Sequence, residues 1–457
     1  MSKQYAKDPN VNHSLHHSIK DGIAYAVMSG SGESFFSAFA LHLKATTEQV
    51  GLLATLPTLL ASLTQLFSAW LGRHDFSRKR IILFGATLQA LSLIPLALLP
   101  VLFPTMAIPL LIIISIVYFS GANIASPQWS SLLGDLVPER RRGRFFAWRT
   151  RLCSIAGFLS LVFAGIILDL FDNNGYTMAG YILLFGIAAS ARFVSVYHLS
   201  CMVDTTGHVA ALESPFQIGL WKRLSRSSFV RFTLFFALMQ FAVAIASPYF
   251  VVYMLRDLQF SYLEYTVVTA MSVLIQFLAL NRWGRISDVF GNRLILVVTG
   301  IMIPLLPIMW VFSTNYIYIL LIQAFGGMAW AGFTLSAGNY QYDLIPAYKR
   351  ATYMAFHNVV ASVAVFCGAL IGAYLAINLP KEIEIFHQHI EWTSVFYGVF
   401  VLSTVLRALV SLIFLPRLKE MRSAKPMTVG GLIFRVTRFH PLSGLIFDVI
   451  SPKKRKP

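Results

Sequence analysis

Predominantly apolar runs of about 20 or more residues, each bounded by charge, proline or glycine, recur along the chain, and about 20 residues is what an α-helix needs to cross a bilayer core. The pattern predicts twelve spanning helices near residues 21–43, 49–72, 80–103, 106–134, 145–168, 177–201, 229–255, 261–282, 293–313, 315–342, 351–379 and 392–416. The longest internal polar stretch, 202–228, separates the sixth span from the seventh. The chain therefore reads as an N-terminal tail (1–20), a six-helix bundle (21–201), a linker (202–228), a second six-helix bundle (229–416) and a basic tail (417–457). The expected fold class is an all-α polytopic membrane protein.

Composition agrees, since 56% of the 457 residues are hydrophobic and only 12% are charged, about half the fraction usual in globular domains. The net charge of +17 points away from nucleic acid, because the basic residues lie in short patches between apolar runs and form no continuous face. An even number of spans places both termini on one side and requires Lys and Arg to alternate between successive loops. They do: Lys20, Arg78 to Arg80, Arg140 to Arg142, Arg223, Arg293 and Arg350 fall on one side, while the other has Lys44, Arg256 and Lys381 among many acids. The basic side is expected to be cytoplasmic, with both termini there. Met1 to Lys20 lacks the apolar core of a cleavable signal, and the short loops suggest a bacterial inner membrane. Cys153, Cys201 and Cys367 have neither disulfide nor metal spacing, so no metal or cofactor is expected.

The chain also repeats itself. Asp135-Leu136-Val137-Pro138, followed by Arg140 to Arg142, recurs as Asp343-Leu344-Ile345-Pro346, followed by Lys349 and Arg350, each between the fourth and fifth spans of a half. Gly72-Arg73-His74-Asp75 leading to Arg78-Lys79-Arg80 matches Gly284-Arg285-Ile286-Ser287-Asp288 leading to Gly291-Asn292-Arg293. A lone arginine, Arg192 or Arg407, stands late in the sixth span of each half. Three features in one order make two parallel six-helix repeats. In these motifs the chain resembles the major facilitator superfamily, whose loop after the second helix carries Gly, Asp four residues on, then Gly and basic residues. The second copy matches through Gly284, Asp288, Gly291 and Arg293; the first departs, with Gly72 three residues before Asp75 and Arg78 in place of the second Gly. The resemblance implies alternating access, in which two bundles rock about a midplane site to carry a small organic solute, and a functional monomer is expected.

Candidate residues follow from what a membrane makes costly. Glu33, in Gly30-Ser31-Gly32-Glu33-Ser34, is the acid that falls deep within a predicted span, and a carboxyl there is a candidate proton carrier. The alternative is a hydrogen-bonded Glu that knits the first helix to a neighbour. Asn123, Gln240 and Trp330 are candidates to line a substrate cavity, and interhelical hydrogen bonding is the competing role for each. Asp75, Asp135, Asp288 and Asp343, with Arg192 and Arg407, are candidate gate residues on the basic side; for the acids the alternative is helix capping. No P-loop is present, so ATP-driven transport is not expected. A receptor or scaffold with a transporter fold is the competing function, followed by a membrane-embedded enzyme. No paired carboxylates, activated nucleophile or metal cluster supports the enzyme reading, and His13, His16 and His17 fall in the polar tail.

Overall fold

The structure, a computed structural model, describes residues 8–71, 77–138, 142–204, 228–345, 350–379, 382–385, 388–391 and 394–420. Asp75, nearly all of the linker and the tail beyond Glu420 lie outside these residues.

The first span starts earlier than expected. Asp8 caps α1 (Pro9–Ser31), its carboxylate accepting from the Asn10 amide at 2.8 Å, and Pro9 occupies the first turn where no amide is needed. Ser14, Leu15, Ser18 and Ile19 recur at helical spacing and are buried, so residues 9–20 continue the helix and are not a free tail. The helix breaks after Ser31, passes through a single tight turn at Glu33–Phe35 and resumes as α2 (Phe36–His42). The N-terminal bundle is completed by α3 (Thr47–Leu71), α4 (Arg78–Leu102), α5 (Ala107–Leu136), α6 (Arg142–Asn173) and α7 (Thr177–Ser200). Gly85 and Gly121 let α4 and α5 cross closely: a Cβ on either would lie 2.5 or 2.6 Å from the other's carbonyl oxygen.

The second bundle begins with another broken span. In it, α8 (Ser228–Ala244) is separated by the turn at 245–248 from α9 (Tyr249–Val252), which continues into a π-helical turn at Tyr253–Asp257. Then follow α10 (Tyr262–Phe290), α11 (Asn292–Phe312), α12 (Tyr316–Leu344), α13 (Arg350–Asn378) and α14 (Phe396–Phe414). Ser261 opens α10 with a reciprocal cap to Glu264. The helix runs to Phe290 and takes in Gly284 and Asp288, which the sequence placed in a loop; the chain turns at Gly291, whose φ of 83° favours glycine.

Proline interrupts α11 without leaving its backbone unpaired. Pro304 and Pro307 cannot donate to the carbonyls of Gly300 and Ile303, and α14 does so instead, through Ser411 Oγ at 2.7 Å and Arg407 Nη1 at 3.3 Å. Among the described residues, ten helices are long and apolar enough to cross a membrane, and side chains such as Phe84, Phe312, Leu321 and Leu412 are exposed on their outer faces. The chain is an integral membrane protein. A hairpin of β1 (Glu382–Ile385) and β2 (Gln388–Glu391), antiparallel with Glu382 opposite Glu391, precedes α14 and adds to the all-helical expectation for the bundles.

Candidate functional site

The two broken spans stand first in their respective bundles, and interrupted helices at equivalent places are the backbone signature of a midplane binding site. At the first break the Ser29 carbonyl, released from the ladder, is taken by Ser34 at 3.1 Å, and one turn earlier Ser31 and Ser160 both add a bond to the Val27 carbonyl at 2.8 Å. Glu33 sits in this break and accepts from the Tyr118 hydroxyl of α5 at 3.0 Å. No cation pairs with it among the described residues. At the second break, Ser403 donates to Ala242 at 2.6 Å and Arg407 to Val243 at 3.4 Å, capping the end of α8.

Between α3, α5, α8 and α13 lies a polar cavity of about 340 Å³, lined by Thr58, Ser62, Gln65, Asn123, Gln240 and Asn358, among others. It brings together two of the three residues expected to line a cavity. Asn123 spends one amide bond on its own helix, at the Phe119 carbonyl, whereas the buried Gln240 Oε1 has no hydrogen-bond partner among the described residues. Trp330 lies elsewhere, edge-on to Phe333 in the apolar core of the second bundle. A second cavity, of about 600 Å³, opens between α1 and α6 on one side and α10 and α12 on the other, with Tyr25, Gly30, Ser34, Arg149 and Gln276 in its wall.

A buried charged cluster adjoins it, and sequence reasoning had missed two of its members. Asp21, 3% exposed, accepts from Arg149 Nη2 at 3.4 Å and from Ser195 Oγ at 2.7 Å; Ser195 in turn accepts from Arg192 Nη1 at 2.6 Å. Arg149 lies over the Trp129 ring at 4.5 Å and Arg192 over Tyr25 at 4.9 Å. Asp21 stood at the assumed start of the first span and Arg149 near that of the fifth, so each looked like a membrane-edge residue. The missed signal was Asp8-Pro9 followed by buried positions at helical spacing, which carries the helix well past Asp21.

The seam between the bundles is closed at one end and open at the other. On the side away from the basic loops, Arg256 donates to Thr47 Oγ1 at 3.2 Å, the Leu263 amide donates to Asp169 at 3.2 Å, Phe35 packs edge-on to Tyr265, and Thr266 fills the space beside Gly165. On the basic side, a cavity of about 1000 Å³ separates Phe146, Trp148 and Arg151 of α6 from Phe277, Arg285 and Asp288 of α10. The remaining gate candidates are held within their own bundles: Asp135 pairs with Arg78 at 2.6 Å, and Asp343 accepts from Asn292 at 3.1 Å. Arg192 and Arg407 are buried, 4% and 2% exposed. His17 meets His198 and His13 through opposite ring nitrogens, at 3.0 and 3.3 Å, so one ion cannot bind all three in this arrangement.

No curated protein matches the sequence. Among solved structures, the chain superposes on a point mutant of the nucleoside transporter NupG with a TM-score of 0.68 at 12% identity, covering 89% of this chain and 100% of that one. It superposes on a D-xylose-proton symporter with a TM-score of 0.67 at 17% identity, covering 91% and 99%. A bacterial homologue of the iron transporter ferroportin in an inward-facing state gives 0.66 at 12% identity, covering 88% and 98%. At these identities the likeness establishes the fold. The family model described as Major Facilitator Superfamily matches residues 22–254 and again 232–447, the two matches together covering both six-helix repeats, and the chain belongs to that superfamily of secondary active transporters.

Proposed function

We propose that this transporter carries a small polar organic solute through the cavity shared by Asn123 and Gln240 and couples its passage to a proton taken up and released by Glu33. The basic side is assigned to the cytoplasm of a bacterial cell, so the arrangement is inward-facing, and the functional unit is the monomer. The rocking of the two bundles about Glu33 and the amide-lined cavity then exposes the site alternately to each side.

The observation that carries the coupling is the Glu33 to Tyr118 hydrogen bond at 3.0 Å, placed at the break of the first span with no cation on the carboxylate. A neutral hydroxyl can serve either form of the acid, donating to the carboxylate and accepting from the carboxyl, so a proton can come and go without dismantling the site. A permanent ion pair would hold the group charged. The amide lining supports a solute that donates hydrogen bonds, since Gln240 Oε1 is left to receive one.

The test uses proteoliposomes and a solute identified from thermal stabilisation of the purified protein by sugars, nucleosides, amino acids and organic acids. Glu33→Gln is expected to lower accumulation driven by a proton gradient about tenfold or more while retaining solute exchange at zero gradient. Accumulation by Glu33→Gln at the wild-type rate, with the same pH dependence, would falsify coupling through this residue.

A further inference from the structure

Two guanidinium groups and one carboxylate meet inside the N-terminal bundle, which leaves a positive charge in excess. Arg149 is bound to Asp21, and its Nε donates to the Ser18 carbonyl at 3.1 Å. Arg192 has no ion pair among the described residues: it reaches Asp21 only through Ser195, its Nε lacks a hydrogen-bond partner, and the residue is 4% exposed. Glu33, the other acid of the bundle interior, bonds to Tyr118 and to neither arginine. A buried cation with unspent donors is unfavourable unless an anion completes it. Both arginines border a cavity of about 260 Å³ that also touches Asp21, Tyr25 and Trp129.

We propose that Arg149 and Arg192 form an anion subsite that receives a carboxylate or phosphate group of the transported solute. The inference rests on the reading of the chain as a solute transporter and narrows its substrates to organic anions. Guanidinium groups suit this task because their planar fork of donors matches carboxylate and phosphate oxygens. The aromatic faces of Trp129 and Tyr25 hold the two forks in place.

Access is built in. Arg149 and Tyr25 line both this cavity and the one of about 600 Å³ at the seam, so an anion entering between the bundles meets Arg149 first. Gly22 keeps that guanidinium pressed on α1, because a Cβ there would lie 2.6 Å from Arg149 Nη2. Asp21 is the resident counter-ion, restraining Arg149 when the subsite is empty.

The experiment is thermal unfolding and calorimetric binding of the detergent-purified full chain at fixed pH and ionic strength. The probes are benzoate against benzamide, succinate against succinamide, and inorganic phosphate, each with chloride as reference. At least one of the anions is expected to stabilise the protein in a saturable way beyond chloride, its neutral partner to do nothing, and the anion that binds tells carboxylate from phosphate chemistry. Arg192→Gln and Arg149→Gln are expected to weaken that binding about tenfold or more, and Arg192→Lys by less, since it keeps the charge and loses the fork. Should Arg192→Gln fail to fold, Gly22→Ala removes no charge but displaces Arg149, and it too must weaken the anion. Equal stabilisation by neutral partners, no anion acting beyond chloride, or wild-type anion affinity in folded Arg192→Gln or Gly22→Ala overturns the subsite. Loss of proton-driven accumulation in Glu33→Gln with no anion binding would sink this inference alone and leave the coupling reading standing; anion binding with proton-independent flux would do the reverse.

Discussion

Arg192 and Arg407 stand at equivalent places, late in the sixth span of each bundle, and both are almost fully buried. Their partners differ in kind. Arg192 lies among Asp21, Ser195, Tyr25 and a second arginine beside a cavity. Arg407 donates to two backbone carbonyls, that of Ile303, left without an amide by Pro307, and that of Val243 at the end of α8, which also accepts the Ala246 and Ser247 amides. One arginine therefore has charge chemistry to offer a ligand, and the other repairs interrupted helices. The internal repeat preserved a position while the surroundings set its role: the first bundle gathers buried acids around the site, and the second supplies proline breaks in need of donors.

The comparison is broken most directly by exchanging the losses. Arg192→Gln is expected to lower solute flux roughly 100-fold, about 3 kcal/mol of charge-assisted bonding, with little effect on unfolding because Asp21 keeps Arg149. Arg407→Gln is expected to behave oppositely, losing about 2 kcal/mol of stability as the Ile303 carbonyl loses its donor, with flux per folded molecule within about threefold of wild type. Flux assays paired with unfolding of the same preparations decide the matter; loss of flux in Arg407→Gln without destabilisation would make the two arginines functional equals. A finer cut uses Ser411, which serves the Gly300 carbonyl that Pro304 leaves open. Ser411→Ala is expected to cost about 1 kcal/mol in the wild-type chain and close to nothing in Pro304→Ala, whose new amide takes the carbonyl back.

The same contrast explains what could be read from the sequence. Twelve apolar windows, the charge alternation and the repeated motifs gave the bundles, because bilayer thickness fixes helix length and topology fixes where Lys and Arg fall. Glu33 was legible as an acid in an apolar run, whereas the break beside it was not, since the predicted first span ran unbroken through Gly30-Ser31-Gly32-Glu33-Ser34. Asn123 and Gln240 were found as polar residues mid-span, although nothing in one dimension told them apart from Trp330, whose side chain turned to the core. Asp21 and Arg149 were hidden because each stands at the start of a predicted span, where a charge reads as a membrane boundary, and hydropathy is blind to the earlier start of α1 at Pro9 that carries Asp21 into the bundle interior. Pairing across helices, such as Arg149 with Asp21 or Arg407 with Ile303, is tertiary and left no local trace.

The smallest expected effect separates two acids at the basic end of the seam. Asp135 pairs with Arg78 inside its own bundle, and Arg78 also holds Asp204 at 3.3 Å, so this cluster moves as one body when the bundles rock. Asp288 is different: it is exposed on the wall of the cavity of about 1000 Å³, with Arg151 of α6 on the wall opposite. Closing that cavity brings the two walls together and lets Asp288 meet the basic edge of α6. Asp288→Asn is therefore expected to shift the equilibrium toward the state open at the basic side by up to about 1 kcal/mol, the scale of a solvent-exposed ion pair, and Asp135→Asn to leave it unchanged. Spin-label distances between α6 and α10 across the seam report the populations. A shift in Asp135→Asn as large as that in Asp288→Asn would mean that the intrabundle cluster also takes part in the gate, and that the two bundles are not the rigid units their internal pairing implies.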